Sequence, residues 1–131
     1  MKYLLDTDML IYFMKGNSSV VEAFGRVSEA DLSISILSHS ELLYGAFYSE
    51  QQSKNLKKVT KLLEYLDVLP YDKNASYIFA GQKAKLRREG VMLMDFDLMI
   101  ASVALRNDLI LVTNNQKHFQ RIEGLLLENW A

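Results

Sequence analysis

Acidic side chains stand in three separate apolar stretches of this 131-residue sequence, and they are the first candidates for chemistry. Asp6 follows the run "YLL", Glu41 stands in "SHSELLYGA", and Asp97 stands in "MDFDLMIASVA". A carboxylate near a core is costly unless it is paired, protonated or bound to a cation. No lysine or arginine stands beside these positions in the sequence. A hard divalent cation, Mg²⁺ or Mn²⁺, held through oxygen ligands and waters, would account for all three.

Two aspartates, Asp95 and Asp97, lie one residue apart in the third stretch. At helical spacing Asp97 shares a face with small or apolar residues, and we expect it to point inward. Those residues are Ile100, Ala101 and Ala104. Asp95 aligns with a mixed stripe that we expect nearer solvent, made of Leu98, Met99, Ser102 and Arg106. Because Asp95 also stands where a helix needs an N-cap, we expect Asp95 to cap and Asp97 to function.

The elements that must position these side chains alternate between short apolar runs and helical patterns. Strands are predicted at residues 2–6, 32–35, 67–70, 109–113 and 125–130. Helices are predicted at residues 7–14, 20–27, 37–49, 53–66, 74–89, 94–107 and 116–122. Strands that are apolar on both faces and alternate with helices predict an α/β fold, with helices covering both sides of a mainly parallel sheet of about five strands. The length fits a single domain spanning residues 1–131.

Local punctuation adds three narrower expectations. Ser18 or Ser19 is predicted to cap the second helix, and Gly90 is predicted to end the fifth helix in the left-handed conformation. Gly45 lies one helical turn after Glu41 on the same face. A glycine there costs roughly 1 kcal/mol of helix stability, so we expect the missing side chain to make room for a close neighbour.

Polar side chains gather where two predicted strands end. Asp6 follows the first strand, and Thr113, Asn114 and Asn115 follow the strand "LILVT". In parallel sheets ligands bind at the carboxyl ends of strands, so these side chains are expected at one edge. Asp6 also suits the N-cap of the next helix, as do Thr7 and Asp8. A carboxylate cluster with Mg²⁺ favours phosphodiester hydrolysis, and no glycine-rich nucleotide loop is present in the sequence.

Four segments resemble, in order, the motif regions of PIN-domain ribonucleases, and in particular those of VapC-type toxins from bacterial toxin–antitoxin pairs. They are "YLLDTDMLIYF", "SISILSHSELLYGA", "DLMIASVA" and "LVTNNQKHFQRIEGLLLENW", which together span essentially the whole chain. The resemblance implies a three-layer α/β/α PIN-like domain and Mg²⁺- or Mn²⁺-dependent RNA endonuclease activity. It also implies that Asp6, Glu41 and Asp97 are the catalytic metal-binding residues, Glu41 directly or through water.

Further polar positions follow from the same resemblance. Thr7, Asp8, Thr113 and Asn115 are expected to support the site. Asn115 stands where many PIN domains have a fourth acidic residue, so we expect one resting metal rather than two. Asp8 stands where asparagine is common, and we expect it either to cap the helix or to supply charge to metal-bound water.

The resemblance also implies partners. A VapB-like antitoxin is expected to cover a groove near Tyr44, Phe47 and Tyr48 and to block the site, and the toxin is expected to form a homodimer. The RNA target is expected to be tRNA, and operator DNA is expected to bind only through the antitoxin. Asp6 and Asp8 interrupt the first apolar run, so no membrane span is expected, and a cytoplasmic location is the simplest interpretation.

Two basic runs are candidates for RNA binding, although each also reads as a solvated helix face. They are Lys54, Lys57, Lys58 and Lys61, then Lys83, Lys85, Arg87 and Arg88. The formal net charge is −1, so any contact with RNA must be local. His39 and His118 are interpreted as structural or surface residues, since metal and carboxylates perform the chemistry in this family.

Two other functions stay open. "LLDTDML" also resembles the start of haloacid-dehalogenase-type phosphatases, in which Asp6 would be the nucleophile and Asp8 the general acid. That reaction needs a serine or threonine, for which Ser38 or Ser40 could serve, and a lysine that has no convincing position here. A non-catalytic interaction module on the same fold is the other alternative.

Overall fold

The computed structural model describes residues 2–131, which build a five-stranded sheet. The strands are β1 (Tyr3–Leu5), β2 (Leu32–Ser35), β3 (Asp67–Leu69), β4 (Ile110–Val112) and β5 (Leu127–Glu128). They pair in the order β3-β2-β1-β4-β5, and every pairing among the described residues is parallel. The predicted α/β class and strand number are confirmed. The edge strand β3 differs from the expectation of burial on both faces, because Asp67 and Val68 are exposed.

Helices cover both faces of this sheet. They are α1 (Thr7–Met14), α2 (Ser18–Arg26), α3 (Ile36–Tyr48), α4 (Gln52–Leu63), α5 (Lys73–Arg88), α6 (Asp95–Arg106) and α7 (Gln116–Phe119), with a 3₁₀ turn at Glu29–Asp31. Tyr3 and Leu5 of β1 pack into a core with α1 to α4, whereas Leu4 packs into a second core with α5 to α7. This alternation gives the three layers that the sequence predicts. None of the helices in residues 2–131 is both long and apolar enough to cross a bilayer.

The chain reverses its direction of growth at β1, the central strand. It first adds β2 and β3 on one side, and then returns to add β4 and β5 on the other. Such a switch point opens a crevice beyond the carboxyl ends of the two strands that flank it, here β1 and β4. The amide of Asp6 donates to the carbonyl of Val112 over 2.9 Å, so β1 and β4 are still hydrogen-bonded to each other where the crevice begins.

The ends of two helices test the capping predictions. Gly90 adopts a φ of +76° after α5, as expected. The prediction for α2 is wrong, because the helix already begins at Ser18 and the side chain of Asn17 accepts a hydrogen bond from the amide of Val20 (3.1 Å). Gly16, at a φ of +78°, turns the chain one residue before Asn17, which therefore takes the cap position. The Ser19 hydroxyl instead donates to the carbonyl of Trp130 over 2.7 Å.

Replacing the Asn17 cap should destabilise the protein in a way that replacing its neighbour does not. Asn17→Ala removes the acceptor for the Val20 amide and should lower the free energy of unfolding by about 1 kcal/mol. Ser18→Ala is the matched control, because Ser18 lies within the first turn and should change stability by less than about 0.5 kcal/mol. Urea unfolding followed by circular dichroism measures both, and equal losses would contradict the cap assignment.

Candidate active site

Asp6 is the most enclosed carboxylate of the crevice, with 7% of its surface exposed. Its Oδ1 accepts a hydrogen bond from the amide of Thr7 (2.9 Å), and its Oδ2 accepts one from the hydroxyl of Thr113 (2.7 Å). The first contact makes Asp6 the N-cap of α1. Capping and a place in the site are therefore not alternatives for Asp6, since one carboxylate does both.

Burial and like charge disfavour the ionised form of this carboxylate. Burial, followed by the negative charge of Asp8, raises the pKa of Asp6 from 3.8 to about 7. Hydrogen bonds from Thr113 and Thr7 oppose that rise, and Asp97 adds to it. Burial also raises the pKa of Asp8, with Asp97 as a smaller cause. No lysine or arginine among residues 2–131 contributes to either shift, so the crevice carries uncompensated negative charge.

Asp8 leaves one acceptor without a partner. Its Oδ2 accepts a hydrogen bond from the amide of Asn114 (3.0 Å), which ties α1 to the segment after β4. Its Oδ1 is buried and forms no hydrogen bond within residues 2–131. A buried carboxylate oxygen is seldom left unpaired in a protein. A bound cation or an ordered water is the kind of partner that this oxygen lacks.

Glu41 joins this arrangement through Thr7. It lies exposed on α3, and its Oε1 accepts a hydrogen bond from the Thr7 hydroxyl over 2.5 Å. Thr7 thus holds Asp6 with its amide and Glu41 with its side chain. A Cβ built at Gly45 meets nothing within 4 Å, so the close neighbour expected beside this glycine is not another part of residues 2–131. The space beside Gly45 is open.

The structure separates Asp97 from Asp95. The Asp97 side chain is 27% exposed and that of Asp95 is 57% exposed, so Asp97 is the more enclosed of the two, as predicted. The prediction that Asp95 caps α6 is wrong. Met94 is the N-cap residue and forms no side-chain cap bond, while Asp95 is the first helical residue and pairs with Lys83 at 2.8 Å.

The predicted solvent-facing stripe of α6 is also wrong in part. Leu98 and Ser102 are buried, because α5 packs against that side of the helix. Asp97, two residues after Asp95 on the same helix, has a different partner. Nδ1 of His118, the third residue of α7, lies 3.3 Å from Oδ2 of Asp97. His118 was predicted to be a structural or surface residue; its side chain is 53% exposed, and no sequence signal links it to Asp97.

The donor set suits a hydrated divalent cation better than a tightly enclosed one. Within residues 2–131 no three acidic or histidine side chains are grouped closely enough to hold a metal ion by themselves. The available donors are carboxylate oxygens in a region of excess negative charge, with one buried oxygen unpaired. Mg²⁺ commonly keeps several waters and takes only one or two carboxylates directly, so these residues fit Mg²⁺ or Mn²⁺.

The other polar residues predicted for the site divide between side-chain and backbone contacts. Thr113 is buried and donates to Asp6 as described. Asn115 contributes through its backbone rather than its side chain: its backbone N–H donates to the Thr113 hydroxyl over 3.0 Å. Asn114, expected at the same edge of the sheet, bridges the Tyr12 hydroxyl and the side chain of Asn129. Hydrogen bonds to Asp6 at the end of β1, to α1 and to the residues after β5 therefore fix the position of the segment after β4.

The two basic runs differ in how free their charges are. On α5, Lys83 pairs with Asp95 and Lys85 pairs with Glu123. Arg87 borders a cavity of about 250 Å³ beside the segment that joins α5 to α6. The lysines of α4 are all exposed, and they are Lys54, Lys57, Lys58 and Lys61. Ion pairing reduces the charge that α5 can offer to a polyanion, so α4 is the more available basic surface.

An apolar groove lies between α1, α2 and α4, away from the position expected for it. It encloses about 580 Å³ and is lined by Phe13, Met14, Val21, Phe24, Leu62 and Tyr65, among others. A second cavity of about 330 Å³ shares Met14 and Lys58 with the groove and also includes Glu41 and Gly45. The three aromatic side chains expected to form the groove are exposed on α3 and line neither cavity; they are Tyr44, Phe47 and Tyr48.

Comparison with known proteins places this fold and site in a family. The model of the PIN domain matches residues 3–125. The tRNA(fMet)-specific endonuclease VapC of Shigella flexneri is 34% identical over 131 residues, covering 100% of this chain and 99% of that protein. Ribonuclease VapC2 of Haemophilus influenzae is 32% identical over 131 residues, with the same coverage.

Solved structures agree with the sequence relatives. The DNA-bound VapBC of Salmonella typhimurium superimposes with a TM-score of 0.94 at 34% identity, covering 100% of this chain and 99% of that one. VapBC2 of Rickettsia felis, bound to a DNA fragment from its promoter, gives a TM-score of 0.92 at 29% identity with full coverage of both chains. The chain belongs to the PIN-domain family and, within it, to the VapC ribonucleases.

Neither alternative function is favoured. The family match is to PIN domains, and the serines that a phosphatase would need are engaged elsewhere. Ser38 is buried and its amide donates to Ser35, while the Ser40 hydroxyl donates to the carbonyl of Ile36. The relatives are named as ribonucleases and endonucleases, which favours an enzyme over a non-catalytic module.

The raised pKa of Asp6 predicts how the stability of the metal-free protein depends on pH. The folded state holds this proton up to about pH 7, whereas the unfolded chain releases it near pH 3.8. Stability from this group is therefore complete below pH 3.8 and is lost as the pH rises to about 7. Asp6→Asn should remove that loss and stabilise the EDTA-treated protein at pH 8 by about 2 kcal/mol.

Thermal and urea unfolding at pH 5 and pH 8 measure this difference. Asp67→Asn is the matched control, because Asp67 is an exposed aspartate at the start of β3. Its pH dependence should follow that of the unaltered protein. If Asp6→Asn kept the same loss of stability between pH 5 and pH 8, Asp6 would not be the group responsible.

Proposed function

We propose that this chain is an RNA endonuclease that hydrolyses phosphodiester bonds with the help of Mg²⁺ or Mn²⁺. The observation that carries the proposal is the concentration of negative charge at the switch point of the sheet, where buried Asp6 lies within electrostatic range of Asp8 and Asp97. Burial and the charges of Asp8 and Asp97 raise the cost of ionising Asp6, burial and the charge of Asp97 raise that of Asp8, and no basic side chain of residues 2–131 offsets either cost. A divalent cation removes that cost and is the usual requirement for metal-assisted hydrolysis of a phosphodiester.

Asp6 and Asp97 would hold the ion, and Glu41 would reach it directly or through water. When bound, the ion supplies Lewis acidity toward the phosphate and lowers the pKa of the attacking water. Asp6 is prepared for its part by the Thr7 amide and the Thr113 hydroxyl, each of which occupies one position on a separate carboxylate oxygen. Each oxygen keeps a second acceptor position for the ion or for its waters.

Glu41 and Asp8 would act around this centre. Glu41 is exposed and is oriented by the Thr7 hydroxyl, which supports a role in which its carboxylate would accept a proton from the attacking water. Asp8 would orient water in the outer shell through its unpaired Oδ1. Asn115 carries no charge where a fourth carboxylate would favour a second ion, so we propose one resting metal.

We propose tRNA as the substrate class. The relatives from Shigella flexneri and Salmonella typhimurium, at 34% and 35% identity, are named tRNA(fMet)-specific endonucleases. A local basic surface is needed to bring a polyanion to an acidic crevice. The exposed lysines of α4 are the first candidates for that contact, and Arg87 and Arg88 at the end of α5 are the second.

A VapB-like antitoxin is the proposed inhibitor, and the apolar groove between α1, α2 and α4 is its proposed site. The groove has a volume of about 580 Å³ and a mainly apolar lining, which suit the nonpolar face of an amphipathic helix. Because the second cavity continues from Met14 to Glu41, a segment following that helix would reach the carboxylates and exclude RNA. The open space beside Gly45 lies along this path.

The remaining parts of the proposal concern assembly. The solved neighbours are VapBC complexes, two of them bound to DNA, and we propose that this chain contacts operator DNA only through its antitoxin. A homodimer and a cytoplasmic location belong to the same proposal. The exposed Tyr44, Phe47 and Tyr48 of α3 are the apolar surface available to a second copy of the chain.

Single substitutions of the two neighbouring aspartates should differ sharply in cleavage. Asp97→Asn removes a proposed ligand and should lower the cleavage rate at least about 100-fold, equivalent to about 3 kcal/mol. Asp95→Asn breaks only an exposed ion pair with Lys83 and should change the rate by less than about 3-fold. Both rates are measured by incubating each variant with purified 5′-labelled tRNA and Mg²⁺ or Mn²⁺ and separating the products on a gel. EDTA should stop cleavage. Equal loss in both variants would reject this division of roles.

A charge placed in the apolar groove should weaken inhibition without weakening cleavage. Val21 is exposed and lines the groove, so Val21→Asp should be compatible with folding while opposing an apolar helix. The inhibition constant of the antitoxin should rise by about 10-fold or more. Tyr77→Asp on α5 is the control, because Tyr77 is exposed and lies outside the groove. Unchanged inhibition of the Val21 variant would exclude this groove as the antitoxin site.

A further inference from the structure

Each of the three proposed metal-binding carboxylates is held by one side chain from another part of the chain. The donors are two hydroxyls and one imidazole. The pairs are Asp6 with Thr113 (2.7 Å), Glu41 with Thr7 (2.5 Å) and Asp97 with His118 (3.3 Å). The threonine contacts belong to positions already expected to support the site. The contact of His118 does not, and it gives this residue a specific task.

We propose that His118 is the positioning residue of Asp97, and the proposal rests on the proposed function, which makes Asp97 a metal ligand. A carboxylate oxygen at this site only accepts hydrogen bonds, so Nδ1 of His118 must carry the proton and donate it to Oδ2 of Asp97. That bond fixes the plane of the Asp97 carboxylate and would leave Oδ1 and the second acceptor position of Oδ2 available to the ion. Within residues 2–131, no other side chain forms a hydrogen bond or ion pair with Asp97.

The imidazole is delivered by a rigidly anchored helix. Phe119, the next residue, and Ile122 are buried in the core shared with α6. The amide of His118 donates to the carbonyl of Asn115 over 3.0 Å, which closes the first turn of α7. Asn115 in turn donates to Thr113, the residue that holds Asp6. One short segment after β4 therefore orients two of the three carboxylates.

A positioning role and a folding role have different consequences for this pair. The side chains of His118 and Asp97 are 53% and 27% exposed, so their contact stabilises the fold little. Its effect is to restrict the rotation of the Asp97 carboxylate, which is otherwise free at the start of a helix. Partners that orient a metal ligand commonly change metal affinity by about 10- to 100-fold. Loss of His118 should therefore weaken metal binding while leaving the metal-free fold intact.

Three variants separate these possibilities. His118→Ala removes the donor, and His118→Gln places an amide nitrogen beyond the position of Nδ1. His118→Asn keeps a donor close to the Nδ1 position. His39→Ala is the matched control, because His39 is the other histidine of the sequence and forms no side-chain hydrogen bond within residues 2–131.

Calorimetric titration of each variant with Mn²⁺ gives the affinity directly. The Kd should rise about 10-fold in His118→Ala and His118→Gln, and should stay within about 3-fold of the unaltered protein in His118→Asn and His39→Ala. The melting temperature in EDTA should change by less than about 3 °C in every variant. Cleavage of tRNA by His118→Ala should recover when Mn²⁺ is raised to saturate the weaker site.

Other results would overturn the proposal. An unchanged Mn²⁺ Kd in His118→Ala, with a raised KM for tRNA, would make His118 an RNA contact instead. Failure of His118→Asn to restore affinity would show that the Nδ1 donor is not what matters. Asp97→Asn, titrated in parallel, distinguishes this failure from that of the proposed function. If Asp97→Asn bound Mn²⁺ normally, Asp97 would not be a ligand and both proposals would fall; if only Asp97→Asn lost affinity, the role of His118 alone would fall.

Discussion

The burial of the Asp6 carboxylate at the end of β1 is the constraint on which the site depends. This one side chain caps α1, accepts a hydrogen bond from Thr113 after β4, and lies in the field of Asp8 and Asp97. Its backbone amide still belongs to the ladder with β4. The carboxylate therefore cannot turn toward solvent without losing both a helix cap and a buried hydrogen bond, and the strand contact of its backbone keeps the residue in place. The raised pKa of Asp6 follows from that fixed position, because the carboxylate stays buried and close to two other negative charges.

Much of the fold could be predicted because a parallel sheet covered by helices produces a regular hydrophobic pattern in the sequence. Strands buried on both faces appear as short, continuous apolar runs, and the long helices show three- and four-residue spacing. The expectations failed where a single contact decides the outcome. Asn17 rather than a serine caps α2, because Gly16 turns the chain directly before it. Leu98 and Ser102 belong to a stripe of mixed polarity that was predicted to lie nearer solvent, but α5 packs against that stripe and buries both.

The site could be predicted as a place more readily than as a set of contacts. The rule that ligands bind where strands end brought Asp6 and Thr113 together from sequences more than one hundred residues apart, and their hydrogen bond confirms that they meet. The contact of His118 with Asp97 follows from no such rule. It depends on how α7 folds back against α6 after β4, which packing of Phe119 in the core determines. The spacing of residues in the sequence does not predict that contact.

The two cores on either side of the sheet explain how the like charges are kept together. Leu5 and Val112 pack toward α1 to α4, whereas Leu4 and Leu111 pack toward α5 to α7, so β1 and β4 are clamped on both faces just before the crevice. Asp6 follows one of these strands and Thr113 the other. Asp8 lies in the first turn of α1, which packs into the first core, and Asp97 lies in the first turn of α6, which packs into the second. Because neither helix can move away from the sheet, the repulsion among the three carboxylates is not relieved by local rearrangement. It is relieved by protonation of Asp6 or by binding of a cation, and whatever binds the folded crevice alone also stabilises the fold. The affinity of the site for positive charge and the pH dependence of its stability are thus two consequences of the same packing.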